Sequence, residues 1–72
     1  MNINWSKLIL RCSAASGKQV ATIAREIKSD AEHLRRLARE EVQEPKWSTA
    51  IKLLDYYHDL FDGDMGAVKN GE

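Results

Sequence analysis

The chain has 72 residues, 43% hydrophobic and 31% charged, with 11 basic residues balanced by 11 acidic ones. That length holds one small domain with a thin core, and no apolar run approaches the roughly 20 residues of a membrane span. The start, Met1-Asn2-Ile3-Asn4-Trp5, has no basic region followed by an apolar one, so no secretory signal is expected.

A first helix is expected from a cap at Asn4 or Ser6 to about Ser16, with Trp5, Leu8, Ile9 and Cys12 on its inner stripe. Gly17 suits the left-handed residue that ends such a helix. Leu10 falls outside the stripe. Cys12, the only cysteine, cannot form an internal disulfide. On the apolar side of a helix it reads as a buried reduced thiol, which fits a reducing cytoplasm.

Residues 19–39 read as two short helices and a tight turn. Val20, Ile23, Ala24 and Ile27 share one face of the first; Ala31, Leu34, Leu37 and Ala38 share one face of the second. Between them, Ser29 with Glu32 makes a capping box, and Asp30 is itself a good N-cap. Ala24 and Ala31 are small enough for a close, steep crossing. The result is a helix-turn-helix. The later of the two helices is expected to continue through Arg39-Glu40-Glu41-Val42. Its polar face holds Glu32, His33, Arg36, Arg39 and Glu40, with Arg35 at the margin. The pairs Glu32–Arg36 and Arg36–Glu40 stand four apart, as in an ion-paired surface helix.

Pro45 ends that segment, and Gln43-Glu44-Pro45-Lys46 links it to a fourth helix, from Trp47 or Ser48 to Phe61. Trp47, Ala50, Ile51, Leu54, Tyr57, His58 and Phe61 are its expected core stripe. Leu53, Tyr56 and Leu60 form a second stripe, more than one small core needs. These three are therefore the expected homodimer interface. Residues 1–61 are expected to form the domain. Residues 62–72 have glycines, no periodicity and little to bury, and read as a flexible tail. The fold class is all-α: a small four-helix domain containing a helix-turn-helix.

Charge is unevenly placed. Residues 1–39 hold eight basic and three acidic side chains; residues 40–72 hold three and eight. The basic half contains the helix-turn-helix and can face phosphates.

The chain resembles the Cro/repressor-type helix-turn-helix proteins of phages and prophages over about residues 5–61. The carriers are Trp5 with Leu8-Ile9, Gly17 six residues before Ile23-Ala24, then Ile27, Leu34 and Leu37, and last Glu44-Pro45-Lys46-Trp47 leading to Leu53-Leu54. The resemblance implies a transcriptional regulator that binds double-stranded operator DNA as a homodimer, with the third helix in the major groove. It sets Ala31, Glu32, Arg35 and Arg36 near base edges, Arg39 near the backbone, and Lys18 and Gln19 by a phosphate. Lys28 of the turn and His33 of the third helix complete the candidate DNA-binding residues. Three positions depart from the family's habit. Lys28-Ser29 replaces glycine and an apolar residue in the turn. Val20 stands where glutamine is frequent. Glu40-Glu41 replaces a glycine after the third helix, so that helix is expected to run longer.

Catalytic patterns are missing from the sequence. His33, His58 and Cys12 have no metal-ligand spacing, and no phosphate loop or nucleophile motif occurs. No enzyme activity, cofactor, metal, membrane or small-molecule substrate is therefore expected. The rival reading is a helical protein-interaction module, an anti-repressor or antitoxin-like adaptor, that keeps the fold without reading DNA. The acidic fourth helix, zero net charge and Val20 favour it.

Overall fold

The structure is a computed structural model describing residues 3–62; the expected tail beyond Asp62 lies outside the described residues. Within them the chain is all-helical: α1 (Trp5–Ser16), α2 (Val20–Glu26), α3 (Ala31–Ala38) and α4 (Trp47–Phe61). No helix among the described residues is long and apolar enough to cross a membrane.

Helix α1 starts at Asn4, whose side chain accepts the Lys7 backbone N–H at 3.0 Å. Ser6, the other candidate cap, has a different task. Its hydroxyl donates to the Ala38 carbonyl at 2.6 Å, fastening the start of α1 to the end of α3. Leu8, Ile9 and Cys12 are fully buried, while Leu10 is exposed, so the stripe holds and Leu10 is a surface residue. Helix α1 is the hub among the described residues: the other three all pack on it, α2 and α3 also pack on each other, and α4 packs on α1 while its side chains reach Glu26 and the turn after α2.

Each helix ends in a left-handed residue: Gly17 (φ 70°), Lys28 (58°), Glu40 (64°) and Asp62 (53°). Only the first is glycine, which takes that conformation at little cost. At the end of α2, Lys28 N–H donates to the Arg25 carbonyl at 3.1 Å and Ser29 N–H to that of Ala24 at 2.8 Å. At the end of α3, Glu40 N–H donates to the Leu37 carbonyl at 3.1 Å and Glu41 N–H to that of Arg36 at 2.9 Å. Both are Schellman closures, which satisfy the carbonyls a helix leaves free.

The second closure corrects the expected length of α3. The helix stops at Ala38 instead of running through Val42. The left-handed Glu40 breaks the helical path, and Ser6 gives the Ala38 carbonyl the partner that the ended helix does not supply. Val42 folds back against the core instead.

The start of α3 also differs from expectation. Asp30 is the N-cap, accepting the Glu32 N–H at 3.0 Å. No capping box forms. Ser29 hydroxyl pairs with that of Thr49, 3.1 Å away on α4.

The core joins Leu8, Ile9 and Cys12 of α1, Ile23 and Ala24 of α2, Leu34 and Leu37 of α3, and Leu53 and Tyr57 of α4. Each large aliphatic side chain so buried contributes about 1.5–3 kcal/mol. Burial pushes the Cys12 thiol up to about 11, with neighbouring Arg11 opposing the shift, so it stays protonated near neutral pH.

Helix α4 is rotated relative to the expected face. Thr49, Leu53 and Tyr57, at i, i+4 and i+8, are buried. Trp47 is 80% exposed and Ile51 49%, although both were expected in the core. Leu53 is 0% exposed and belongs to the core, so it cannot serve as a dimer interface. The rotation buries the Thr49 hydroxyl, which finds a partner in Ser29, and the Tyr57 hydroxyl, which has none among the described residues. It also stacks Phe61 against Tyr57, ring centroids 4.5 Å apart, and under the Arg11 guanidinium at 4.6 Å.

Candidate nucleic-acid interface

The turn between α2 and α3 comprises residues 27–30 and is held from outside by α4. Lys52 ammonium donates to the Lys28 carbonyl at 3.2 Å, beside the Ser29–Thr49 pair. These bonds fix the point from which α3 departs. The left-handed Lys28 turns the chain at once, and α3 follows with Leu34 and Leu37 inward.

With those leucines inward, the opposite face of α3 presents Arg35, Glu32, Arg36 and Arg39, all about half exposed. Glu32 sits among the arginines. One carboxylate oxygen lies 3.5 Å from Arg35 Nη1; the other lies 3.5 Å from Arg36 Nε and 3.7 Å from Arg39 Nη2. Arg39 Nε also meets a Glu41 oxygen at 3.0 Å. Exposed pairs of this kind stabilise a fold by only about 0–1 kcal/mol each, and salt screens them. Their weakness matters chemically, because a phosphate or a base edge can displace such a carboxylate easily. The i, i+4 pairing expected between Arg36 and Glu40 is absent from the ion pairs found, because α3 has ended and Glu40 has turned away.

The other candidates divide. Gln19 and Lys28 are exposed, and Gln19 makes no side-chain cap bond. Lys18 is engaged: its ammonium is ion-paired with Glu26, which also accepts the Tyr56 hydroxyl at 3.1 Å. The hydrogen bond from Lys18 holds the Glu26 carboxyl below its ordinary range, and the same bond raises Lys18. Burial, then the hydrogen bond to Glu26, raises Tyr56. Ala31 is half-buried against the core, so it seats α3 instead of projecting. His33 was expected on the exposed face, but it lies on the flank, half-buried beside the Leu37 side of the helix. Its Nε2 has no hydrogen-bond partner among the described residues.

The expected dimer stripe is not a continuous free surface. Leu53 is inside, Tyr56 is half-buried on Glu26, and only Leu60 is exposed, at 37%. The apolar surface that α4 does offer is Trp47 with Ile51, one turn apart. Beside Trp47 opens a groove of about 610 Å³, walled by Ile3, Trp5 and Val42 and by the polar Asn4, Gln43 and Glu44. No group of three or more metal-ligating side chains occurs among the described residues.

Sequence reasoning missed the Lys18–Glu26–Tyr56 chain and the Ser6–Ala38 bond. The latter joins residues 32 apart, and nothing local to either residue signals it. No family model matches the chain, and no curated protein or solved structure matches it.

Proposed function

We propose that this chain is a sequence-specific, double-stranded DNA-binding transcriptional regulator of the Cro/repressor type, with α3 entering the major groove. One observation carries the reading: Arg35, Arg36 and Arg39 gather on the outer face of a short helix that a tight turn sets off from α2. Arginine neutralises phosphates as a fixed cation and grips guanine O6 and N7 with a two-pronged donor. Gln19 and Lys28, both exposed, add polar and cationic reach at the other end of the motif. Lys18 contributes less, since Glu26 occupies it.

A second copy of the chain belongs to this reading, because two recognition helices about 34 Å apart read a palindromic site. The surface it would bury is the Trp47–Ile51 edge of α4, in place of the Leu53 stripe. The reading assigns no catalytic step, cofactor or small-molecule substrate, and the protonated Cys12 thiol suits a reducing cytoplasm.

The second reading, a protein-interaction module, draws on Trp47. A tryptophan 80% exposed beside a groove of mixed polar and apolar lining is costly to leave in water and useful against a partner protein. The experiment is retention on duplex DNA over a salt series. The DNA reading expects affinity falling steeply with log salt. No retention at low salt would leave the interaction module standing.

A further inference from the structure

This inference rests on the DNA-binding reading above and concerns its selectivity. We propose that Glu32 is the positioning and selectivity residue of the interface: it holds Arg35, Arg36 and Arg39 as one fan and weakens binding to any duplex that offers its carboxylate no amino donor.

Glu32 stands in the first turn of α3, where its charge favours the helix start, but its carboxylate caps no backbone N–H. Asp30 already caps α3, and the capping box that would have occupied the Glu32 carboxylate does not form. Both its oxygens instead face guanidiniums, at 3.5, 3.5 and 3.7 Å. One carboxylate can fill only a few of the donors that three guanidiniums carry, so most stay free for an incoming acceptor. The arginines therefore reach DNA together, and the carboxylate reaches it with them.

At the duplex surface that carboxylate meets phosphates of its own sign. It is satisfied only by a donor in the major groove, which cytosine N4 or adenine N6 supplies. Elsewhere it stays unpaired or keeps an arginine from a phosphate. Glu32 thus lowers binding to most sequences while leaving a matching one unharmed, and selectivity is that difference. Glu41 contacts Arg39 alone, beyond the helix end, and serves as the internal control.

The test compares wild type, Glu32→Gln, Glu32→Asp and Glu41→Gln. The probes are a pool of randomised 20-base-pair duplexes and the sequence that wild type enriches from it, between about 50 and 200 mM salt. For Glu32→Gln, pool binding should tighten at least about fivefold, with a slope steeper by about 0.9 for each phosphate gained. Its preference for the enriched sequence should fall at least about fivefold. Glu32→Asp keeps the charge but shortens its reach, so pool binding should stay weak while the preference falls. Glu41→Gln should keep the preference. Unchanged affinity and slope in Glu32→Gln overturn the proposal. So does an equal loss on both probes with a lowered melting temperature, which would make Glu32 structural. A wild type that binds neither probe defeats the DNA reading itself, visibly and before any variant is compared.

Discussion

Helices α3 and α4 both pack on α1 and specify themselves in different ways. Helix α3 is short and strictly two-sided: Leu34 and Leu37 inward, arginines and Glu32 outward. Only one rotation buries its apolar residues without burying charge. Helix α4 is nearly twice as long and apolar around much of its girth, so several rotations would bury a similar area. The one adopted buries Thr49, Leu53 and Tyr57 and leaves Trp47 and Ile51 in solvent. A helix with surplus apolar surface fixes its orientation through a few specific contacts, here the Ser29–Thr49 pair and the Arg11 guanidinium over the Phe61 ring, and not through its pattern.

The largest expected effect breaks or upholds that orientation directly. Leu53→Ala should cost about 2–5 kcal/mol, the loss for an emptied core site. Ile51→Ala, half in solvent, should cost well under half as much. Urea midpoints at constant m-value check both; equal losses would return α4 to the rotation its sequence suggests.

On α3 the expected loss is in binding. Arg36→Ala should weaken DNA binding by about 1–3 kcal/mol and move stability by less than about 0.5 kcal/mol. Titration of the enriched duplex, with a melt of the free protein, separates the two quantities.

Smaller still are the helix ends. Lys28→Gly and Glu40→Gly should each stabilise by up to about 1 kcal/mol, since a left-handed backbone strains a residue with a Cβ while glycine's extra unfolded-state freedom offsets part of the gain. Lys28 should gain less if the Lys52 bond to its carbonyl already braces the turn. Thermal melts of the single and double variants measure this.

The smallest effect is a pH dependence at the link between α2 and α4. Glu26 has its carboxyl lowered below 4.5 by Lys18, with Tyr56 assisting. Its contribution is therefore present above pH 4.5 and lost as pH falls through the lower folded value. Lys18 is raised above 10.5, so its contribution is present below that value and lost as pH rises through the folded one. Both groups are exposed and screened. Glu26→Gln should flatten the acid limb of the stability curve slightly and leave pH 7 stability nearly unchanged.

Much of the fold is legible in the sequence because it is set locally. Asn4 and Gly17 bound α1, Asp30 starts α3, and the spacing of Ile23, Ala24, Leu34 and Leu37 encodes the crossing of α2 and α3. The left-handed turn at Lys28 follows from comparison with a glycine-bearing motif. What escaped reading depends on distant partners. The end of α3 is set by a left-handed Glu40, a residue type that carries no signal for that backbone, and its last carbonyl is met by Ser6 from another helix. Lys18 looks like a free cation until Glu26 is seen beside it. The arginine fan was half legible: the polar face is plain, but its convergence on one carboxylate is a three-dimensional fact.

The packing of α4 on one helix, α1, has a consequence for the order in which the molecule opens. Helices α1, α2 and α3 brace one another, so freeing any of their amides means losing contacts on two sides. Helix α4 has one packed side and, beyond it, the bonds from Thr49, Lys52 and Tyr56 to residues at the end of α2. Its amide protons should therefore exchange with solvent through a separate, cheaper opening, in which α4 swings clear while the other three helices keep their contacts. That opening bares the inner faces of Leu53 and Tyr57 and the side of α1 they pack on for as long as it lasts. Whatever seats itself on the outer side of α4 would slow that exchange without touching the core at all.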